Sequence, residues 1–210
     1  MKLAIFDVDY TLTKKETLLE FYKFLLTRNK KTITHIPVAI LSGFLYLIKI
    51  NDEKATKELF LKFLKGKTKN ELNSLADDFF NLKIKNMLYK DGINKVKDFE
   101  KSGYTIVLTS ASPELYINKF KNILNVDYIF GTELEFKDNI YTGNIKGLNN
   151  KGFEKINRLL PLLEKNDVDL KNSYMFSDSM ADKPLLELVG NPYLVNYRKE
   201  NPEYPVLKWK

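Results

Sequence analysis

Two carboxylates one residue apart end an apolar run in Lys2-Leu3-Ala4-Ile5-Phe6-Asp7-Val8-Asp9-Tyr10-Thr11. In an extended chain alternate residues share a face, so Asp7 and Asp9 are expected to leave the strand on the same side. Acids that close repel each other and coexist only around a cation or a shared proton. A solvated strand end is the plain alternative. Three later stretches offer partners: Ser110 after Tyr104–Thr109, Lys151 after Gly147-Leu148-Asn149-Asn150, and Asp178 with Asp182 in Ser177-Asp178-Ser179-Met180-Ala181-Asp182. Each has an ordinary reading too. Ser110 could cap a helix, Lys151 could be one surface lysine among many, and Asp182 could be a first-turn acid on a helix dipole. The set holds carboxylates, a hydroxyl and an ammonium. It contains no thiolate, and the one histidine, His35, lies far from all of it. That donor chemistry argues against zinc and favours a hard cation, magnesium.

These residues need elements that bring them to one place. Ile93 to Lys101 has helical spacing with Gly103 behind it as a stop. Tyr104–Thr109, Tyr128–Phe130, Ser173–Ser177 and Pro192–Val195 read as short apolar strands. Helices are expected after Pro113, near Lys151 and over Asp182–Leu188. Leu134–Phe136 and Ile140–Ile145 flank Lys137-Asp138-Asn139, a polar hairpin turn. Alternating strand and helix predicts an α/β fold with a mostly parallel, Rossmann-like sheet and helices on both faces. All the candidate residues then fall at strand ends or helix starts, on the edge where such sheets bind ligands. From Glu16 to Leu88 the pattern is helical almost throughout, as in Leu18, Leu19, Phe21, Tyr22, Leu25 and Leu26. The expected organisation is a catalytic core of residues 1–15 and 89–210 with an all-helical cap, residues 16–88, inserted after the first strand.

The chain of 210 residues is 44% hydrophobic with 14 Phe, enough for a packed core. It has no cysteine, which removes any disulfide framework and suits a reducing cytoplasm. Met1-Lys2 runs directly into the first strand without a secretory-signal layout. The formal net charge of +7 is scattered rather than gathered beside aromatic residues, which reads first as a solvated surface and next as a preference for an anionic substrate or membrane surface, and argues against nucleic acid.

Asp7-Val8-Asp9-Tyr10-Thr11, Ser110, Lys151 and the Asp178/Asp182 pair, in that order, resemble the four motifs of the haloacid dehalogenase superfamily. The helical insert, with Thr109-Ser110-Ala111-Ser112-Pro113-Glu114, resembles the branch that contains phosphoserine phosphatase. The resemblance implies Mg²⁺-dependent hydrolysis of a small phosphorylated substrate. Asp7 would attack phosphorus to form an aspartyl-phosphate, and Asp9 would act as general acid and then base. Mg²⁺ would be held by Asp7, the main-chain carbonyl of Asp9, and Asp178, with Asp182 behind them. Ser110, the main-chain N–H of Ala111, and Lys151 would hold phosphoryl oxygens. Transfer to a second alcohol instead of water is the nearest alternative, and a catalytically silent phospho-ligand binding protein is the rival of another class.

In that branch a glutamate soon after the first motif holds the substrate amine, and Glu16 stands at the matching distance; it also reads as a first-turn helix acid. The cap arginine that would hold a substrate carboxylate falls at Phe60 here, so phosphoserine is not the expected substrate. Residues 36–48 are uncharged and strongly apolar, flanked by Arg28, Lys30, Lys31 and Lys49. Packing within the cap or on another subunit is one expectation for them. Peripheral membrane contact, with a phospholipid head group as substrate, is the other. His35 is expected to be structural.

Overall fold

The structure is a computed structural model that describes residues 1–28, 30–198 and 203–210. The side chains of Lys30 and Lys31 lie outside the described residues. Leu3–Asp7 forms strand β1, buried along its whole length. Four helices follow: α1 (Thr17–Arg28), α2 (Ile36–Leu47), α3 (Glu53–Leu61) and α4 (Lys69–Leu82). Helix α5 (Lys90–Lys101) leads to β2 (Thr105–Pro113), the short helix α6 (Glu114–Ile117) and β3 (Tyr128–Thr132). A hairpin of β4 (Leu134–Lys137) and β5 (Ile140–Ile145) comes next. Then come α7 (Phe153–Lys165), β6 (Tyr174–Ser177), α8 (Lys183–Leu188), β7 (Asn191–Val195) and β8 (Val206–Leu207).

Six strands form one parallel sheet in the order β3-β2-β1-β6-β7-β8. The order reverses at β1, so the crevice beyond the carboxyl ends of β1 and β6 is the switch point where ligands bind in open α/β sheets. Residues of β1 alternate between two cores. Ala4 and Phe6 join a large cluster with Phe99, Phe176 and Trp209. Leu3 and Ile5 join a smaller one with Leu159, Leu162 and Met175 beneath α7 and α8. Asp7, in phase with Leu3 and Ile5, therefore leaves the strand on the α7 side.

The helical insert is tied down by local chemistry. Thr68 and Glu71 form a reciprocal capping box at the start of α4, and the Asp52 carboxylate accepts from Ala55 N to start α3. Phe21 of α1 and Phe79 of α4 pack around Tyr116 of α6, at ring-centroid distances of 5.2 and 5.3 Å. One buried cluster thus runs from the sheet into α1 and α4. Where the chain leaves β1 and returns to α5, Thr13 and Leu88 pair antiparallel. Lys14 N donates to Met87 O at 2.7 Å, and Tyr89 N donates to Leu12 O at 2.9 Å.

The expected hairpin is present, with Asp138 (φ 49°) and Asn139 (φ 67°) in the two-residue turn. It docks on the insert through main-chain bonds, Gly66 N to Tyr141 O and Lys69 N to Asn139 O. His35 has a structural setting, with Nε2 3.2 Å from Phe60 O and its ring among Tyr22 and Phe63. Two local expectations need correction. Strand β2 runs to Pro113 rather than stopping before Ser110, because its register on β3 shifts between Thr109 and Pro113 and pairing resumes. Strand β8 was not foreseen: its two residues add to β7 as the new edge of the sheet.

Candidate active site

Asp7, at the end of β1, is 6% exposed. Its Oδ1 accepts from Lys155 Nζ at 2.7 Å and its Oδ2 from Thr11 Oγ1 at 3.2 Å. The chain then turns sharply. Thr11, Leu12 and Thr13 all donate their main-chain N–H to Val8 O, and Tyr10 adopts φ 56°, a left-handed conformation that costs a bulky residue energy. The turn brings Thr11 Oγ1 within 2.9 Å of Asp178 N, which donates to it. One threonine therefore ties the end of β1 to the end of β6.

Lys155, on the first turn of α7, is 3% exposed and also bonds Asp182 Oδ2 at 2.7 Å. Asp182 accepts a second bond from Ser177 Oγ at 2.8 Å. Burial works against the charged ammonium, but Asp7 and Asp182 outweigh it and hold the Lys155 proton above the usual lysine range. Burial pushes the Asp7 carboxyl well upward, Lys155 works the other way, and Asp182 and Asp178 add to the upward push. The ammonium of Lys155 can only donate, so Asp7 Oδ1 is an acceptor in that contact, with Asp182 and Asp178 supplying further acid around the one buried lysine.

Asp178 faces the same cavity as Asp7. Burial, then the charge of Asp182, raises its carboxyl to about 6. No side-chain donor bonds its carboxylate among the described residues. Nor do three or more acidic or imidazole side chains cluster there tightly enough to cage an ion by themselves. Two hard carboxylates with a main-chain carbonyl and room for water match magnesium, which binds through few protein ligands. The surplus acid around a single buried lysine is what a divalent cation would offset.

Asp9 is arranged differently. Its Oδ1 accepts from Thr17 N at 2.6 Å, and its Oδ2 from Ser110 Oγ at 3.0 Å and Ser112 Oγ at 2.7 Å. The Ser110 hydroxyl, fully buried, is thus directed at Asp9 and also accepts from Ser112 N at 2.9 Å. Ala111, not Ser110, lines the cavity. Because β2 continues past Ser110, the main chain there is strand, and the helix that follows has only four residues.

Lys151 lines the cavity mouth, but it pairs with Glu53 of α3 at 2.6 Å, both side chains 40% exposed. The lysine that reaches Asp7 is Lys155, four residues on, which the sequence reading passed over. A signal was present. Lys155 occupies the buried stripe of α7 with Leu159 and Leu162, where an apolar residue is expected. Lys57 of α3 was also missed. Its Nζ bonds Ala111 O and Asn149 Oδ1, and burial lowers it to about 8. Glu16 is on the same wall. Burial, then the charge of Asp9, raises it to about 7, while its Oε2 also accepts from Leu19 N at the start of α1. Glu16 thus supports the start of α1 and lines the cavity as well. These groups surround one cavity of about 570 Å³ between the sheet edge and α1–α3, with Leu18, Leu19 and Phe60 as apolar wall.

A model of the family described as haloacid dehalogenase-like hydrolase matches residues 4–187. The "Phosphoserine phosphatase SerB1" of Mycobacterium tuberculosis is 27% identical over 203 residues, 92% of this chain and 64% of that protein. The "Protein CicA" of Caulobacter vibrioides is 26% identical over 188 residues, covering 89% of this chain and 82% of that one. The chain thus spans just under two thirds of the length of the first of these relatives. Among solved structures, a protein of unknown function from Bordetella pertussis Tohama I superposes with TM-score 0.84 at 22% identity, covering 98% and 97% of the two chains. A phospho-aspartyl intermediate analogue of phosphoserine phosphatase superposes with TM-score 0.65 at 19% identity, covering 94% and 87%.

Proposed function

Because the chain belongs to the haloacid dehalogenase-like hydrolase family, we propose that it hydrolyses a phosphomonoester through an aspartyl-phosphate on Asp7. The observation that carries this reading is the buried Asp7 carboxylate, clamped by Lys155 and Thr11 beside Asp178 in one cavity. Magnesium held by Asp7, the Asp9 main-chain carbonyl and Asp178, with Asp182 behind, would neutralise the repulsion between an anionic nucleophile and an anionic phosphate.

The residues of this chain divide the remaining work. Asp7 attacks phosphorus as the ester P–O bond breaks, and Asp9 gives its proton to the departing alkoxide. Asp9 then takes a proton from water as that water attacks phosphorus, which releases Asp7 and inorganic phosphate. Ser110 and Ser112 suit this cycle, since a hydroxyl can donate to the carboxylate and turn to accept from the acid. Lys155, fixed by Asp182 and Ser177, keeps Asp7 aimed and offsets charge on the phosphoryl oxygens. Lys151 and Lys57 line the cavity, where they meet the rest of the substrate. Phe60, at the position of the expected arginine, and the small Ala39 and Gly43 of α2 on the cavity wall favour an ester carried on an apolar chain over phosphoserine.

Asp7→Asn should reduce phosphate release from a soluble aryl phosphate in Mg²⁺ by about 10³-fold or more, with circular dichroism unchanged. Residual turnover within about tenfold of the parent would end the nucleophile assignment.

A further inference from the structure

Helix α2 is inverted relative to a helix that packs on its own protein. It carries no charged residue, and its one buried side chain is Ser42. Ile40, Phe44 and Leu47, spaced four and three apart on one face, are 68%, 56% and 78% exposed, with Leu41 beside them at 48%. The exposed Ile48 and Ile50 extend that face. The opposite stripe, Ala39, Ser42, Gly43 and Tyr46, lines the cavity that holds Asp7. A surface helix of a globular protein turns its large apolar residues inward. Here, Tyr46 apart, the cavity-facing residues are small, and the large aliphatic residues and Phe44 face out in a patch of the kind that marks an interaction site.

Charge identifies the occupant. Arg28 pairs with Asp78 and Lys57 is bonded inside the cavity, but the stretch from Asn29 to Asn51 carries Lys30, Lys31 and Lys49 and no Asp or Glu. Lys49, just past the helix, is exposed and makes no ion pair among the described residues. A second copy docked across a two-fold axis would set these like charges against each other. An anionic bilayer complements them. Twelve residues span about 18 Å, well short of a hydrocarbon core of about 30 Å. No helix among the described residues is long and apolar enough to cross a membrane, so α2 would lie in the surface.

We infer that α2 beds its Ile40–Phe44–Leu47 face in an anionic lipid surface, and that the substrate is a phosphate monoester carried on an apolar chain in that bilayer. The phosphate would reach Asp7 while the chain passes Ala39 and Gly43, whose small side chains leave room beside Leu19 and Phe60. The substrate half of this inference rests on the hydrolase reading of the Asp7 site; the surface half does not.

The test uses the whole chain and the variant Ile40→Ser/Phe44→Ser/Leu47→Ser, which alters only outward-facing residues. Flotation would be measured with vesicles of phosphatidylcholine, with and without phosphatidylglycerol. Hydrolysis would be measured on vesicle-borne phosphatidic acid and on soluble p-nitrophenyl phosphate. The chain should float with the anionic vesicles at low salt and less at high salt. The variant should bind them about tenfold or more weaklier and lose lipid-phosphate hydrolysis in proportion, with p-nitrophenyl phosphate turnover unchanged. Failure to float at low salt, or flotation that the variant leaves intact, would overturn the surface. So would a dimer in analytical ultracentrifugation that the variant disperses. Flotation with turnover of the aryl ester alone would overturn the lipid substrate. Flotation with turnover of neither ester would overturn the hydrolase reading and leave the membrane contact standing.

Discussion

At the scale of single residues, two lysines four apart have opposite physical settings. Lys155 is buried between Asp7 and Asp182, whereas Lys151 makes a half-exposed pair with Glu53. Removing one partner from a buried ionic cluster leaves uncompensated charge and costs about 3–5 kcal/mol, while an exposed pair contributes about 0–1 kcal/mol. Lys155→Met should therefore lower urea stability by that larger amount and cut kcat/KM by about 10²-fold or more. Lys151→Ala should change kcat/KM by less than about fivefold. Equal effects would return the phosphoryl-facing role to Lys151. Glu16 gives a test with a pH axis. Its folded carboxyl is raised to about 7 from an unfolded value near 4.5, so the native state binds more protons between those values. Its penalty is absent below that window and grows as pH rises through it. Glu16→Gln should therefore be more stable than the parent by about 1–2 kcal/mol at pH 8, with the gap closing toward pH 5. Urea denaturation at the two pH values measures this.

Elements place these side chains, and their joints are tightly packed. A Cβ on Gly190, just before β7, would sit 1.9 Å from Lys171 O, a main-chain atom that cannot swing aside. Gly190→Ala should thus destabilise the fold by about 2 kcal/mol or more in thermal or urea unfolding, through displacement of β7 from β6. The elements most legible in the sequence were those with their own punctuation. Asp138-Asn139 forms the hairpin turn, Gly103 follows α5, and the apolar run of β1 ends at Asp7. Less legible was whatever depended on a distant neighbour. Strand β2 continues past Ser110 only because β3 pairs with it again at Thr132, and β8 exists only as an addition to β7. The same holds for the site. Asp7, Asp9 and Asp178 stand beside their own strands and could be read from spacing. Lys155 and Lys57 enter from helices whose rotation about their axes is set by packing, so their identity as lysine did not reveal their direction. Lys151 sits before Gly152, whose φ of 57° turns the chain into α7, and this turn separates the two lysines' destinations.

For the whole molecule, acids from both ends of the chain converge on one crevice while net charge elsewhere is strongly positive. If that crevice takes magnesium, the ion also acts as a stabilising ligand. At a concentration about 100 times its dissociation constant it should add about 2.7 kcal/mol. Chelation should stop phosphate release and lower Tm, and added Mg²⁺ should restore both. In Asp178→Asn the Mg²⁺-dependent rise in Tm should vanish; a rise that persists would place the ion elsewhere.

The bridge between Thr13 and Leu88 has a further bearing on how such a chain diversifies. The intervening helices depart and come back at one bridge, and α1, α3 and α4 share the core of the sheet while α2 contributes nothing to it. Selection can therefore rewrite α2, the part of the roof outside that core, without disturbing the machinery underneath.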